Sequence, residues 1–446
     1  MSSHGLLTSE GKMTCSELSF NESGISTNGF LPDQAPLQTL PDPYYAPWER
    51  LVQHLPACLK NQTLRSEVGK LPLLSVNRLA TEPEWRRAYV MLVFLAHAYI
   101  WGGVKPAEIL PSPITVPLLK VSAHLGLPPV ATYAALNLWN FSSSHMSDLT
   151  RLDNLHALHT FTETEDESWF YMISVAIEAQ GARVIPLLLR ALAAAEQREY
   201  GTITRALHEL SHCTSKMGAL LDRMDERCDP LVFYHKIRPF LAGSKNMDKA
   251  GLPRGVFYDE GDEGSSGSWR QLRGGSNGQS SLIQLFDIVL GINHSTSLCS
   301  ATSGRQPQHN ADDGERSSFQ TEFRQYMPSQ HRRFLEHISQ MDSIRDIVTS
   351  APEQRELCRA FQTATRSLGE FRNKHLQIVT RYIIIPSTRP SISRTVNLAT
   401  ASSSSVAQSR RSAIQLTGTG GTALLPFLKQ ARDHTFQAGK APAATR

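Results

Sequence analysis

The chain has 446 residues, and its 45 Lys and Arg residues against 41 Asp and Glu residues give a formal net charge of +4 at pH 7. This length exceeds the roughly 250–300 residues at which a single hydrophobic core usually stops growing, so it favours two domains. The nearly balanced charge forms no basic stripe, which argues against a nucleic-acid partner.

Cysteine spacing and apolar runs indicate the cellular compartment of the protein. The six cysteines lie far apart, without a CxxC pair or a CxxCH motif, which disfavours a zinc site, a disulfide framework and covalent haem attachment. The first residues, MSSHGLLTSEGK, lack the charged-then-apolar layout of a secretory signal. The longest apolar run, residues 88–101, is shorter than the ~20 residues that span a bilayer. We therefore expect a soluble, cytoplasmic protein without a membrane partner.

The N-terminal third divides into three predicted segments. Residues 1–40 are polar and rich in Ser, Gly and Asn, which predicts a disordered tail. Residues 41–146 contain several amphipathic segments, among them residues 84–101, and predict a small helical domain. Residues 147–166 end in an acidic, polar stretch and are interpreted as a connector.

Residues 167–435 predict a large helical domain. Apolar residues recur there at helical spacing, as at Ile203, Leu207 and Leu210, while strand-like alternation is scarce. The predicted fold class is therefore all-α. Gly and Ser cluster between residues 260 and 280, which predicts a loop, and two weakly apolar stretches predict mobile insertions at about 295–318 and 388–416. Residues 436–446 are predicted to form a tail.

A helix is predicted from Leu357 to Tyr382, and it carries one unexpected residue. Its apolar stripe includes Phe361, Leu368 and Ile378, and His375 stands where the period demands an apolar side chain. Such a histidine is either a core residue hydrogen-bonded to a neighbour or an axial ligand of haem iron. The periodicity alone leaves both interpretations open.

Several short blocks, in order along the chain, carry a family resemblance. They include RNKHLQIVT from Arg372 to Thr380 with the following YIIIP, GGSNGQSS from Gly274 to Ser281, FYHKIR ending at Arg238, and GTGGT near the C-terminus. Together they resemble the indoleamine 2,3-dioxygenases, of the fungal type, over roughly residues 41–429. This resemblance implies a helical enzyme with one haem b per chain.

The resemblance also implies which residues hold the cofactor. His375 would be the ligand of the haem iron, and Arg372 would pair with Asp287 behind the haem to fix ligand orientation. Ser276, in the glycine-serine loop, would bond a haem propionate or the substrate. Without the resemblance, Arg372 and Asp287 are equally well interpreted as an ordinary structural salt bridge.

A further set of residues is implied to bind an indole substrate. Phe170, Phe233, Tyr133 and Ser174 would surround the indole, although aromatic residues at helical spacing are more often core residues. Arg238 would bind the α-carboxylate, since a guanidinium suits bidentate capture. Gly275, Ser276 and Thr419 would complete the substrate site, and the residues closest to the chemistry would be Ser174, Phe233 and Arg238.

The implied reaction inserts both atoms of O2 across the indole C2–C3 bond of L-tryptophan and gives N-formyl-L-kynurenine, the first step of tryptophan breakdown toward NAD. An unidentified reductant would keep the iron ferrous, and a monomer is expected. Asn277 departs from the family, which has alanine or another small apolar residue there. Two alternatives therefore stay open: a same-fold haem protein with weak turnover, acting as a sensor or on another indole, and a non-enzymatic helical scaffold.

Overall fold

The computed structural model describes residues 24–261, 266–294, 319–389 and 424–440. Helices make up most of this part of the chain, and its strands are short. The all-α fold class predicted from the sequence is confirmed.

Five helices occupy the N-terminal part of the structure. They are α1 (Ala46–Gln53), α2 (Leu55–Lys60), α3 (Leu64–Gly69), α4 (Glu82–Trp101) and α5 (Ser112–Leu125). α4 is buried on almost every side, because its apolar run faces neighbours all round. α5 ends at Gly126, whose φ of 64° provides the left-handed turn that stops the helix.

The middle of the chain adds five more helices. They are α6 (Glu165–Ala182), α7 (Ile185–Glu196), α8 (Tyr200–Asp222), α9 (Pro230–Val232) and α10 (Arg238–Leu241). Thr164 caps α6 by accepting a hydrogen bond from the backbone N–H of Glu167, and three acidic residues in the first turn favour the helix dipole. A π-helical turn, Phe233–Ile237, joins α9 to α10.

The C-terminal helices complete the fold. They are α11 (Ser281–Val289), α12 (Phe319–Arg324), α13 (Ser329–Ile338), α14 (Ile344–Ser350), α15 (Arg355–Val379), α16 (Ile385–Ser387) and α17 (Leu424–Ala438). α15 is the longest of them and packs along both α8 and α17. A π-helical turn, Thr380–Ile384, follows it, and another stands at Ala134–Leu138.

Two small sheets interrupt the helices. Their strands are β1 (Ile109–Leu110), β2 (Phe141–Ser143), β3 (Leu155–Ala157), β4 (Val256–Gly261) and β5 (Ser266–Arg270). β2 pairs with β3 in antiparallel register, and the other sheet has the order β1-β4-β5, parallel for β1 and β4 and antiparallel for β4 and β5.

The predicted loop at residues 260–280 is wrong in its first half. β4 continues to Gly261, and β5 occupies residues 266–270. Its Gly-Ser composition resembles a loop, but cross-strand pairing decides the structure. Phe257 stands opposite Trp269, with 5.5 Å between the ring centroids. Residues 262–265 lie outside the described residues.

The predicted N-terminal tail is wrong for residues 24–40. Ile25, Phe30 and Leu31 are buried in the core, and the Phe30 ring contacts the His331 ring at a centroid distance of 4.9 Å. A few large apolar side chains in a polar stretch are enough to anchor it, and a reading of average composition misses them. Residues 1–23 lie outside the described residues.

The other predicted segments fall only partly within the described residues. The insertion at 295–318 lies outside the described residues, and so does the second insertion apart from residues 388–389. The prediction that a tail begins at residue 436 is wrong by a few residues. α17 runs to Ala438, which is buried, and the Phe436 ring packs closely against Gly369 of α15.

The predicted division into a small and a large domain stays a prediction. Buried apolar residues from both ranges belong to one continuous core. His97 Nδ1 donates to the carbonyl of Phe240 at 2.7 Å, and Trp101 Nε1 donates to that of Ala242 at 2.9 Å. These contacts join α4 to the end of α10, beside the cavity described below.

One described stretch, Glu165–Glu196, is long and apolar enough to cross a membrane. However, 83% of its most apolar window is buried inside the protein. A helix pair that is apolar all round and covered by neighbours behaves as part of a protein core.

Candidate active site

A cavity lies where α6, the 274–280 loop, α15 and α17 meet. It is lined by every site residue predicted from the sequence except Thr419, which lies outside the described residues. The lining residues from that set are Tyr133, Phe170, Ser174, Phe233, Arg238, Gly275, Ser276, Asp287, Arg372 and His375. The structure thus brings together residues that are up to 242 positions apart (375 − 133) in the sequence.

His375 forms one wall of the cavity. α15 presents it between Phe371 and Val379, which stand one turn away on either side and also line the cavity. Burial, with a smaller effect from the charge of Arg372, lowers the pKa of His375 to about 4, so the imidazole is neutral. No hydrogen bond to its ring nitrogens is found among the described residues. A neutral imidazole with a free lone pair can bind a metal.

The composition of this wall suits haem better than a bare metal ion. Within the described ranges, no group of three or more His, Cys, Asp or Glu side chains is placed to hold a metal. A metal on His375 would therefore take its other ligands from an organic group, as iron does in haem. The apolar side chains of Leu221, Ile378 and Val379 line the same cavity and fit such a macrocycle.

An ion pair stands beside His375. Arg372 Nη2 donates to both carboxylate oxygens of Asp287, at 2.7 and 2.8 Å, and the two side chains are nearly or fully buried. Burial alone would raise the pKa of Asp287, but the charges of Arg372 and His294 outweigh it and lower the pKa. The pair is therefore ionised, and it ties α11 to α15.

Three further residues, which the sequence did not predict, contact this pair. His294 Nε2 lies 3.1 Å from Asp287 Oδ2. Arg372 Nη1 donates to the carbonyl of Ala431 at 3.0 Å and to the Thr435 hydroxyl, both on α17. These contacts fix the guanidinium from three sides, so the helix turn that carries His375 is held in place.

Aromatic rings from different elements meet elsewhere in the cavity. The centroids of Phe170 and Phe233 are 4.8 Å apart, at an interplanar angle of 55°. Phe233 also contacts Tyr382 edge-on, at 5.8 Å and 81°. Tilted and edge-on rings of this kind form an apolar surface for another flat aromatic group.

Arg238 places a guanidinium in the same cavity. Its side chain is buried, with 2% of the residue exposed, and it lies 5.5 Å from the centroid of the Tyr234 ring. Burial lowers its pKa from the usual value. The backbone N–H of Arg238 bonds to the carbonyl of Phe233, five residues earlier, so the π-helical turn aligns the two side chains. The charge is thus presented next to the aromatic surface.

The glycine-serine loop closes another side of the cavity. A Cβ on Gly275 would lie 2.4 Å from Leu136 Cδ1, so the backbone packs directly on the Ala134–Leu138 turn. The loop is held there because the Tyr133 N–H donates to Gln279 Oε1 at 2.9 Å and Gln279 Nε2 donates to the Gly274 carbonyl at 2.9 Å. Asn277, where the sequence departs from the family, lines the cavity.

Glu178 is a buried residue of this region that the sequence analysis missed. Its Oε1 accepts hydrogen bonds from the Tyr133 hydroxyl at 3.0 Å and the Ser280 hydroxyl at 2.6 Å. Burial raises the pKa of Glu178 to about 7. A signal for it exists in the sequence, since this lone glutamate interrupts an apolar helical run in the same way that His375 does.

Asn137 was missed too. It lines the cavity and is 3% exposed; its Nδ2 donates to the Tyr133 carbonyl at 3.2 Å, and its Oδ1 has no partner among the described residues. No periodicity marks this residue, because it lies in a π-helical turn that the sequence does not predict.

These features define a class of protein: a helical protein whose cavity combines one neutral imidazole with an apolar aromatic surface and a buried guanidinium. The family model described as indoleamine 2,3-dioxygenase matches residues 19–438. The chain therefore belongs to the indoleamine 2,3-dioxygenase family, as the sequence blocks indicated.

Curated relatives agree with this assignment. An indoleamine 2,3-dioxygenase of Aspergillus nanangensis is 41% identical over 93% of this chain and 95% of its own length. That of Saccharomyces cerevisiae is 38% identical over 92% and 90%, respectively. A 6-hydroxytryptophan 2,3-dioxygenase of Fusarium equiseti is 37% identical over 92% and 95%.

The family assignment confirms that the chain is an oxidoreductase of the dioxygenase class. Its family is haem-dependent and acts on tryptophan-like indoles with O2. The non-enzymatic scaffold left open from the sequence is thereby set aside. The individual roles of the cavity residues stay predictions.

Proposed function

We propose that this enzyme cleaves the indole C2–C3 bond of L-tryptophan with O2 to give N-formyl-L-kynurenine, with one haem b bound through His375. Both oxygen atoms enter the product, so no group leaves and no electrons are consumed overall. The observation that carries the proposal is one cavity that combines a neutral imidazole, a pair of tilted phenyl rings and a buried guanidinium.

The chain's own residues would bind, orient and shield the substrate. Arg238 would pair with the α-carboxylate, since its charge is buried and therefore weakly screened. Phe170 and Phe233 would pack on the indole and exclude water. Gly275 and Ser276 would allow the backbone to approach the substrate closely, and Thr419 would complete the carboxylate site. Haem, when bound, supplies the oxygen-activating iron chemistry.

The residues around His375 would hold the cofactor in one orientation. The Asp287–Arg372 pair anchors the α15 turn that carries the imidazole, and Ser276 would bond a haem propionate. Because the protein only binds, orients and shields the substrate, the proposed reaction needs no strong protein base. The mainly apolar cavity wall agrees with this.

Turnover of L-tryptophan tests the proposal. Purified protein loaded with hemin and kept reduced should convert L-tryptophan to a product with the absorbance of N-formylkynurenine and should consume one O2 per product. Haem-loaded protein that consumes no O2 in the presence of tryptophan would contradict the proposal and would favour a weakly active sensor.

A hydroxylated tryptophan is a second candidate substrate, favoured by Asn137 and Asn277. Two amides line a cavity that is otherwise suited to an unsubstituted indole, and Asn137 Oδ1 has no partner in the described part of the chain. A ring hydroxyl would satisfy it, and one relative is named a 6-hydroxytryptophan 2,3-dioxygenase. A higher kcat/KM for 6-hydroxytryptophan than for tryptophan, lost in Asn137→Leu, would support this candidate. Equal kcat/KM values for the two substrates, both in the wild-type protein and in Asn137→Leu, would exclude this candidate.

We also propose a cytoplasmic monomer that depends on a reductant, still to be identified, to keep its iron ferrous. The burial of the apolar stretch Glu165–Glu196 inside the protein supports a position outside the membrane. Five large apolar side chains are exposed among the described residues, which is ordinary for a monomer surface. They are Leu73, Val104, Ile109, Leu231 and Ile385.

A further inference from the structure

Glu178 is a buried carboxyl group, and no cationic side chain of the described residues pairs with it. The residue is 1% exposed, and both of its hydrogen bonds, from Tyr133 and Ser280, reach the same oxygen, Oε1. Oε2 has no partner among the described residues. Taking a carboxyl group out of water costs free energy that neither bond fully recovers, and buried carboxylates are usually paired with a cation. Packing alone therefore gives no reason for an acid at this position.

Glu178 is connected to the cavity through hydroxyl groups. Tyr133, Ser174 and Ser280 all line the cavity. Ser174 lies one helical turn before Glu178 on α6, and its hydroxyl, as a donor toward the phenolic oxygen, partly offsets the burial that raises the pKa of Tyr133. Hydroxyl groups thus connect the cavity with Glu178: Ser174 acts on Tyr133, and the Tyr133 hydroxyl donates to Glu178 at 3.0 Å.

The carboxylate gives this chain a direction. Oε1 accepts from both hydroxyls, and a proton on this carboxyl group would occupy Oε2, so in either protonation state the Tyr133 O–H points at Glu178. The phenolic oxygen is then free to accept the single O–H of Ser174. The Ser174 oxygen then presents its remaining lone pairs to the cavity, and the connected hydroxyl groups polarise them further. At this point the cavity therefore offers an acceptor rather than a donor.

Because the proposed substrate carries one donor on its ring, the indole N–H, we propose that Glu178 is a positioning residue that acts through Tyr133 to make the Ser174 hydroxyl accept the hydrogen bond of the indole N–H. This inference rests on the proposed function. Glu178 does not touch the substrate; it fixes the direction in which two hydroxyl groups point.

A substrate analogue without the donor tests the inference. In 3-benzothienylalanine a sulfur atom replaces the indole N–H, and the amino-acid part is unchanged. We expect haem-loaded protein, titrated without O2, to bind L-tryptophan about tenfold more tightly than the analogue, as befits one hydrogen bond. In Glu178→Gln the ratio should fall toward one, because the amide can donate to Tyr133 and reverse the chain.

Glu167→Gln is the matched control. Glu167 is a fully buried carboxyl on the same helix and accepts from the Tyr171 hydroxyl at 2.8 Å, but it does not line the cavity or contact Tyr133. Glu167 also accepts from the Phe161 and Thr162 backbone N–H groups and the Thr162 hydroxyl, so this variant should lose at least as much stability and still keep the preference for tryptophan. A merely structural role of Glu178 predicts equal ratios in the two variants.

The outcomes separate the two proposals. If Glu178→Gln binds tryptophan with the wild-type preference over the analogue, the inference is overturned. If Glu178→Gln does not fold, Tyr133→Phe interrupts the same chain and must lower the ratio, and an unchanged ratio there overturns the inference too. If the wild-type protein binds neither compound, the proposed function itself fails.

Discussion

Arg238 carries a positive charge into a largely apolar cavity, and this is the residue on which substrate binding is proposed to depend most. It is 2% exposed and stands next to the aromatic surface of Phe233. A charge in such surroundings forms stronger hydrogen bonds to a carboxylate than it would in water.

Replacement of Arg238 by alanine should weaken tryptophan binding and leave haem content unchanged. A hydrogen bond to a charged group contributes about 1.5–3 kcal/mol, so KM should rise by roughly 10- to 100-fold. Arg227→Ala is a suitable control, because Arg227 is a half-exposed residue that pairs with Asp153 and Glu165. Equal KM values for the two variants would contradict the proposed contact between Arg238 and the substrate carboxylate.

The ion pair beside His375 should matter for stability in a way that surface pairs do not. Asp287→Asn leaves Arg372 buried with a neutral partner, which typically costs about 3–5 kcal/mol. Lys374 lies on the same helix as Arg372 and pairs with Asp222, and both of these side chains are substantially exposed. Asp222→Asn should therefore change the stability little. Thermal unfolding of both variants measures the difference; similar melting temperatures would show that the buried pair contributes no more than the surface pair.

Buried histidines predict how stability depends on pH. Burial lowers the pKa of His97 to about 4 and those of His159 and His331 to about 3, against an ordinary value of 6.5. The unfolded chain therefore binds more protons, so the stability present above pH 6.5 is lost as the pH falls toward 4. Glu178 acts in the opposite sense, since its pKa is raised to about 7.

Urea unfolding between pH 7.5 and pH 5 checks this sign. The midpoint should fall over this range, well before carboxyl groups with lowered pKa values, such as Glu322 at about 2, become protonated. His97 shows the cause most clearly, because its Nε2 accepts the Ala131 N–H at 2.9 Å and protonation would abolish this bond. A constant or rising midpoint toward pH 5 would contradict the account.

At the scale of elements, the site depends on backbone irregularities as much as on helices. π-helical turns at Ala134–Leu138, Phe233–Ile237 and Thr380–Ile384 all contribute cavity residues. Such turns are rare and often occur at functional sites, since the extra residue redirects side chains. Tyr382 shows what holds one of them: its single O–H is shared between two acceptors, Asp225 Oδ1 at 2.8 Å and the Cys228 carbonyl at 2.7 Å.

The glycine-serine loop should tolerate no side chain at its first glycine. A Cβ on Gly274 would lie 2.1 Å from the Leu241 carbonyl oxygen and 2.4 Å from the Gly243 nitrogen, and backbone atoms cannot move aside easily. Gly274→Ala should therefore cost about 1–3 kcal/mol and weaken tryptophan binding. Gly69→Ala is the control, because no atom lies within 4 Å of its added Cβ. Wild-type stability and affinity in Gly274→Ala would contradict this packing.

The elements also show where sequence reasoning succeeds. The helical stripe through Phe361, Leu368 and His375 predicted α15 because apolar periodicity survives in any helix that packs on a core. The same reasoning could not predict the π-helical turns or the β4–β5 pairing, which depend on contacts with residues far away in the chain. It also passed over Glu178: the acid visibly interrupts an apolar helical run, but nothing local identifies Tyr133 and Ser280 as its partners.

At the scale of the whole molecule, the cavity is shared between the two halves of the chain. Tyr133 comes from the N-terminal range and Glu178 from the C-terminal range, and they are hydrogen-bonded to each other. Length predicted two domains, but a continuous core and the α4 contacts to residues 240 and 242 join the two ranges. Changes at this junction should therefore affect both folding and substrate binding.

Haem binding by His375 is the central claim, and one measurement tests it most directly. Wild-type protein, His375→Ala and His208→Ala, in which an exposed histidine of α8 is replaced, are each incubated with hemin and freed of excess. The account predicts a Soret band with about one haem per chain in the wild-type protein and in His208→Ala, and loss or a marked shift of that band in His375→Ala. An identical haem content and spectrum in all three proteins would contradict it.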